Sequence, residues 1–117
     1  MRVTDFGSTI LAQARPANTN AANAYSPPAN RRAIISGVLI CNTTGSGAAA
    51  SVFADADGNT KDQTTALVYG KSVGANDYLH LEFGDGIEID EDGTIGVQTG
   101  TNDALTFTVL GRELDGL

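Results

Sequence analysis

Residues 31–47 read "RRAIISGVLICNTTGSG", and this stretch decides the fold class. Its apolar core runs from Ile34 to Cys41 and is closed by Asn, Thr, Gly and Ser, the residues that favour turns. A strand of about eight residues is the natural reading. With side chains alternating, Ile35, Leu39 and Cys41 fall on one face and Ile34, Val38 and Ile40 on the other. Both faces are apolar, so the strand is expected to be central, covered on each side by its own fold or by a partner subunit. Cys41 is the single cysteine of the chain, which rules out an intrachain disulfide and fits a reducing compartment or assembly inside a cell. It is expected as a small core residue.

Downstream, further stretches carry strand patterns. "AAASVFADAD" (48–57) gives a second strand around Ala49 to Ala54, and "TTALVYGKSV" (64–73) sets Leu67 and Tyr69 opposite Val68. The clearest alternation is "DYLHLEFGDG" (77–86), with Leu79, Leu81 and Phe83 facing a core and Tyr78, His80 and Glu82 facing water or a neighbour. "GIEIDEDGTIGVQTGTN" (86–102) reads as a hairpin about its "DEDG" turn, Ile87 and Ile89 on one arm and Ile95 and Val97 on the other. The last strand, "ALTFTVLGREL" (104–114), places Leu105, Phe107 and Val109 inside and Thr106 and Thr108 outside. Strands at this spacing make an antiparallel β-sandwich or small barrel.

Upstream of Arg31 the chain is different in kind. "ARPANTNAANAYSPPAN" (14–30) is rich in Ala, Asn and Pro and offers little to bury. We read residues 1–29 as an extended arm or lead-in and residues 30–117 as the sandwich domain. Arg2, Phe6, Ile10, Arg15 and Tyr25 are its expected contacts with whatever it crosses.

Composition agrees with this picture. The 117 residues include 14 glycines, no tryptophan and only 6% aromatics, so the core must be aliphatic and modest. No run of apolar residues is long enough for a membrane span, and no signal peptide is visible. The formal charge is −7, split unevenly: four arginines against Asp5 give +3 over residues 1–54, while Lys61, Lys71 and Arg112 against thirteen acids give −10 over residues 55–117. Such a chain repels phosphate backbones, so no nucleic acid is expected. The asymmetry lets a basic N-terminal segment lie on an acidic face, its own or a neighbour's.

The densest polar stretch is "DADGNTKD" (55–62). A calcium loop would want glycine at position six and a bidentate acid at position twelve, and these are Thr60 and Ala66. The stretch is therefore read as a strand-connecting turn, with a looser carboxylate site at Asp55, Asp57 and Asp62 as the alternative. Replacing Asp55 and Asp62 together by Asn is expected to leave melting unchanged, with or without chelator. Asp85, Glu88, Asp90, Glu91 and Asp92 read as a solvated face and hairpin tip, and His80, the lone histidine, as a surface or interface group. No nucleophile elbow, phosphate loop or metal-ligand motif appears. Neither an enzyme nor a cofactor is expected.

Taken in order, Ala14 to Pro16, Tyr25, Pro28, Cys41 to Thr43, Asp57 and Gly58, Ala66, Leu67 and Tyr69, Ala75 to Asp77, and Leu105 to Glu113 form a pattern over about residues 14 to 114. That pattern resembles a group of small virion structural proteins of tailed bacteriophages. The resemblance implies a jelly-roll-like antiparallel β-sandwich of about six to eight strands with an extended N-terminal arm. It further implies a capsid decoration or cement protein on the outside of the head, or else a component of the neck, tail or fibre base. The implied partners are the major capsid protein or other virion proteins and further copies of the chain, a homo-oligomer with a trimer favoured. The implied place is the virion, assembled in the host bacterial cytoplasm. Deleting residues 1–29 is then expected to leave the sandwich folded and abolish capsid binding. The competing reading from another class is a carbohydrate-binding or calcium-dependent adhesion module, which needs exposed aromatics on one face, here Tyr69 and Tyr78.

Overall fold

The computed structural model describes residues 9–115. Eight strands follow one another: β1 (Thr9–Ala14), β2 (Ala22–Tyr25), β3 (Arg31–Asn42), β4 (Ala48–Asp55), β5 (Ala66–Val73), β6 (Tyr78–Ile89), β7 (Thr94–Thr99) and β8 (Leu105–Asp115). They form two antiparallel four-stranded sheets, β1-β8-β3-β6 and β2-β7-β4-β5. Only the β4–β5 connection stays within a sheet, and every other one crosses to the opposite layer. This is the double-sheet jelly roll, in which each strand covers the layer left by its predecessor.

Alternation explains the interior. Ile35, Val38 and Ile40 of β3, Ala50 and Val52 of β4, Ile95 and Val97 of β7, and Leu105, Phe107 and Val109 of β8 meet between the sheets with essentially no exposed surface. Each Ile, Val, Leu or Phe side chain among them contributes roughly 1.5–3 kcal/mol on leaving water. As composition requires, this interior is mostly Ile, Val, Leu and Ala, with Phe107 the one fully buried phenylalanine in the cluster among the described residues.

Two details correct the sequence reading, one in the central strand and one after β6. Ser36 is an extra residue in β3, because Ile35 pairs with Gly111 while Gly37 pairs with Leu110. The bulge reverses the alternation, so Ile35 joins Val38 and Ile40 inside while Ile34, Leu39 and Cys41 face out. Cys41 is consequently exposed and not a core residue. The expected hairpin over 86–102 is also corrected: β6 lies in one sheet and β7 in the other, and the turn closed by Gly93 N–H on Asp90 O (3.0 Å) carries the chain across the sandwich. Alternating apolar residues on both arms report a shared core, and two facing sheets share it as well as two paired strands do.

The lead-in is extended over its described part. β1 lies along β8 at one edge and β2 along β7 at an edge of the other sheet, so from residue 9 the lead-in and the sandwich share the same two sheets.

Candidate functional site

The loop that follows β4 was the first candidate for chemistry, and its carboxylates are used for building. Asp55 is buried, its Oδ1 accepting from Asp57 N–H (3.2 Å) and its Oδ2 from Thr60 N–H (2.5 Å), with Lys61 Nζ 4.0 Å away. Burial by itself raises the pKa of this carboxyl. The side-chain contact with Asp57, the two backbone N–H groups and the Lys61 charge outweigh it and bring the pKa below the ordinary aspartate value. Asp57 accepts from Asn59 N–H (2.9 Å) and Asp62 from Thr64 N–H (2.8 Å), each closing a local turn. Gly58 sits at φ +78°, and a Cβ there would lie 2.8 Å from the Asp92 carbonyl oxygen, so the turn packs tightly on the β6–β7 connection. Among the described residues, no three acid, His or Cys side chains are grouped to hold a metal ion.

Next to this loop stands Phe53. This residue is fully buried yet stands apart from the cluster between the sheets, because alternation along β4 turns it outward while Val52 points in. Its ring meets Tyr69 edge-on at 6.4 Å, and its register partner is Gly96. The Lys61 stem lies across Gly96, where a Cβ would come within 2.7 Å of Cδ. The segment 55–62 thus lays the Lys61 stem, as a flap, on the outer face of the β2-β7-β4-β5 sheet. Sequence reasoning missed Phe53, although its place one residue from the inward Val52 was the available signal.

The residues expected on the arm separate into three groups. Arg2 and Phe6 lie outside the described residues. Tyr25 is buried, its hydroxyl donating to Glu113 Oε2 (2.7 Å), with Arg31 Nε 3.6 Å from Glu113 Oε1. Burial first, then the Glu113 hydrogen bond and charge, push its phenol far above the ordinary tyrosine range, and Arg31 opposes them. Arg15 donates to Thr43 Oγ1 (2.7 Å) and to the Asp103 carbonyl, tying the lead-in to the loops before β4 and β8. Ile10 alone of the described group stands free, 61% exposed.

The acidic cluster is divided among neighbours. Glu88 pairs with Arg32 (3.1 Å), Glu91 accepts from Asn30 N–H (2.8 Å), and Asp90 accepts from Asp92 N–H (3.1 Å). Basic residues at the start of β3 therefore meet acids of the same chain, which is one of the two outcomes the charge asymmetry allowed. Such exposed pairs contribute modestly, on the order of 0–1 kcal/mol each.

The outer face of β1-β8-β3-β6 is the other notable surface. Register sets Tyr78 beside Cys41, His80 beside Leu39, and Ile10 beside Leu110. Tyr78 is 65% exposed, while Leu39 and Leu110 are half-buried. Residues 83–86 of β6 loop out opposite Ser36, leaving a hollow of about 270 Å³ lined by Ser36, Gly37, His80, Glu82, Gly84 and Leu110. His80 Nδ1 is 3.9 Å from Glu82 Oε1, with His80 partly and Glu82 largely in solvent. Open water weakens such a pair.

No protein-family model matches the chain, and no curated protein matches its sequence. Among solved structures, it is similar to a chain of the acid-stable capsid of Helicobacter pylori bacteriophage KHP30, with 13% identity and a TM-score of 0.52 over 93% of this chain and 94% of that one. It is also similar to a chain of infectious bursal disease virus, Gx strain, at 12% identity and TM-score 0.46 over 93% of this chain and 31% of that one. A third likeness is to the Anabaena sensory rhodopsin transducer, at 21% identity and TM-score 0.42 over 84% of each chain. The last two are too distant to bear an argument. The first shows that the whole eight-strand sandwich is a fold found in a bacteriophage capsid.

Proposed function

We propose that the chain is a structural protein of a bacteriophage particle, seated on the outside of the head as a decoration protein and assembled there from the host bacterial cytoplasm. The observation that carries this reading is the end-to-end likeness to a phage capsid chain, 93% of one and 94% of the other. The order of short motifs over residues 14 to 114, which resembles small virion proteins of tailed phages, supports it from the sequence side.

The seat is the outer face of the β1-β8-β3-β6 sheet. Ile10, Tyr78, Leu39, Leu110 and the exposed Cys41 make a mixed apolar band there, the surface a shell protein or a second copy would cover. In this reading Arg2, Phe6 and Ile10 touch the partner, whereas Arg15 and Tyr25 hold the lead-in to its own sandwich. The major capsid protein is the partner, and the copies associate as a closed homotrimer.

Maleimide labelling of Cys41 tests this, combined with occupancy on purified particles. The free folded monomer is expected to label fully and the particle-bound protein to be protected. Leu39→Asp is expected to fold normally and lose occupancy. Equal labelling in both states, together with unchanged occupancy of the variant, overturns the assignment of this face. A copy number in the tens per particle, and not the hundreds, would move the protein to the neck, tail or fibre base.

A further inference from the structure

On the opposite side of the sandwich, the outer face of β2-β7-β4-β5 holds a shallow dish of about 310 Å³ beside Tyr69. This is the lower end of the usual range for small-molecule sites, roughly 300–1,000 Å³. Its lining includes Thr19, Ser51, Tyr69, Gly70, Gln98 and Gly100. Three features define its chemistry. Tyr69 is 56% exposed although its ring is braced edge-on by the buried Phe53, so an aromatic surface is presented at a fixed angle. Glycine backbone makes part of the floor, so a ligand can approach closely. The polar groups are an amide and hydroxyls: Gln98 Nε2 donates to the Thr19 carbonyl (2.9 Å), which leaves its Oε1 as an acceptor, and Ser51 Oγ accepts from Gly70 N–H (2.9 Å), which leaves its proton to donate.

We propose that this dish binds a neutral sugar ring, a hexose or N-acetylhexosamine, stacked on Tyr69. A sugar ring has an apolar C–H face and a rim of hydroxyls, and the dish offers an aromatic surface and a rim of neutral donors and acceptors. Other ligand classes fit less well. Phosphate or carboxylate needs a cationic partner, and a hard cation needs carboxylates, whereas no charged side chain lines the dish among the described residues. The dish is shallow, so affinity for a single sugar is weak and arrays of copies would gain by avidity. The site lies on the face opposite the proposed seat and stands whether or not that seat is correct.

The test is a titration of the isotope-labelled full chain with a panel of neutral methyl glycosides and N-acetylhexosaminides, read by amide shifts. At least one member is expected to move Tyr69, Gly70, Gln98 and Gly100 with a Kd on the order of 1 mM. Tyr69→Ala is expected to weaken it at least about tenfold, Tyr69→Trp to retain it, and Tyr78→Ala to leave it unchanged. Should Tyr69→Ala lose its dispersed spectrum, Gln98→Ala carries the same expectation with at least a fivefold loss. The proposal is overturned if no panel member moves these amides at tens of millimolar, if Tyr69→Ala or Gln98→Ala titrates like the parent, or if inorganic phosphate produces the same shifts.

Discussion

Replacing Asp55 by Asn probes the flap over β4 more sharply than any other single change. The carboxylate uses both oxygens, one on Asp57 N–H at 3.2 Å and one on Thr60 N–H at 2.5 Å. An amide has only one acceptor oxygen, so whichever way it turns, its NH2 faces one of these backbone donors. One charge-assisted bond is lost, worth roughly 1.5–3 kcal/mol, and a shielded N–H is left without an acceptor. Relief from burying a charge beneath a single layer of chain offsets part of this, giving a net loss of about 2 kcal/mol. At about 4 °C per kcal/mol for a domain of this size, the melting midpoint should fall by about 8 °C. Because the Asp55 pKa is lowered in the folded chain, its contribution is present above the unfolded aspartate value and fades as pH falls below about 4. Thermal melts at pH 7, with urea denaturation at pH 7 and pH 3, each with and without chelator, measure all of this. The gap between parent and variant should be clear at pH 7, narrow at pH 3 and indifferent to chelator. An unchanged midpoint at pH 7 would refute the structural role, and a loss seen only with calcium present would make the loop a metal site. Asp62→Asn serves as the milder comparison: Asp62 Oδ1 accepts from both Thr64 N–H and Thr64 Oγ1, which an amide oxygen can also do, so only the charge assistance that lowers the Asp62 pKa is lost and its midpoint should move far less. The structure thus leads to a different expectation from the sequence for the paired exchange of Asp55 and Asp62, a loss of stability that comes mainly from Asp55.

Two further outcomes follow from the lead-in. Tyr25→Phe removes the hydroxyl that donates to Glu113 and should cost about 1–2 kcal/mol at pH 7. In the parent, the raised Tyr25 pKa means stability held fully below about 10 and lost as pH rises beyond it, and ultraviolet titration should show one tyrosinate of the three forming only on unfolding. Deleting residues 1–29 strips β1 from β8, β2 from β7 and Tyr25 from the core, so the remaining chain should unfold or aggregate at 37 °C in circular dichroism. A deletion variant with native melting would instead make the lead-in a detachable arm.

Much of the fold was legible because period-two alternation is a local property. Leu105, Phe107 and Val109 alternate with two threonines, and the structure buries the first three and leaves Thr106 and Thr108 half-exposed. What misled was a single inserted residue: Ser36 shifts the pleat, and every assignment across it changes face, carrying Cys41 from the expected core to the surface. Nothing local marks such a bulge, since it is defined by what the neighbouring strands pair with. The flap was half legible. Counting positions showed that "DADGNTKD" lacks the glycine and the twelfth-position acid of an EF-hand loop, but only the packed sheet shows that Asp55 pins it and that Lys61 lies across Gly96, the register partner of Phe53.

By itself, the sequence determined that the chain is all-β, aliphatic-cored, acidic toward its C-terminal half, and punctuated by Asp, Asn and Gly turns. These follow from composition and short-range periodicity, which each segment carries alone. Tertiary structure decided which strands share a sheet, sending β6 and β7 to opposite layers although their pattern suited a hairpin. It also brought Tyr69, Ser51 and Gln98, far apart in the chain, around one dish. Register and layer depend on long-range pairing, and no local window of residues contains that information.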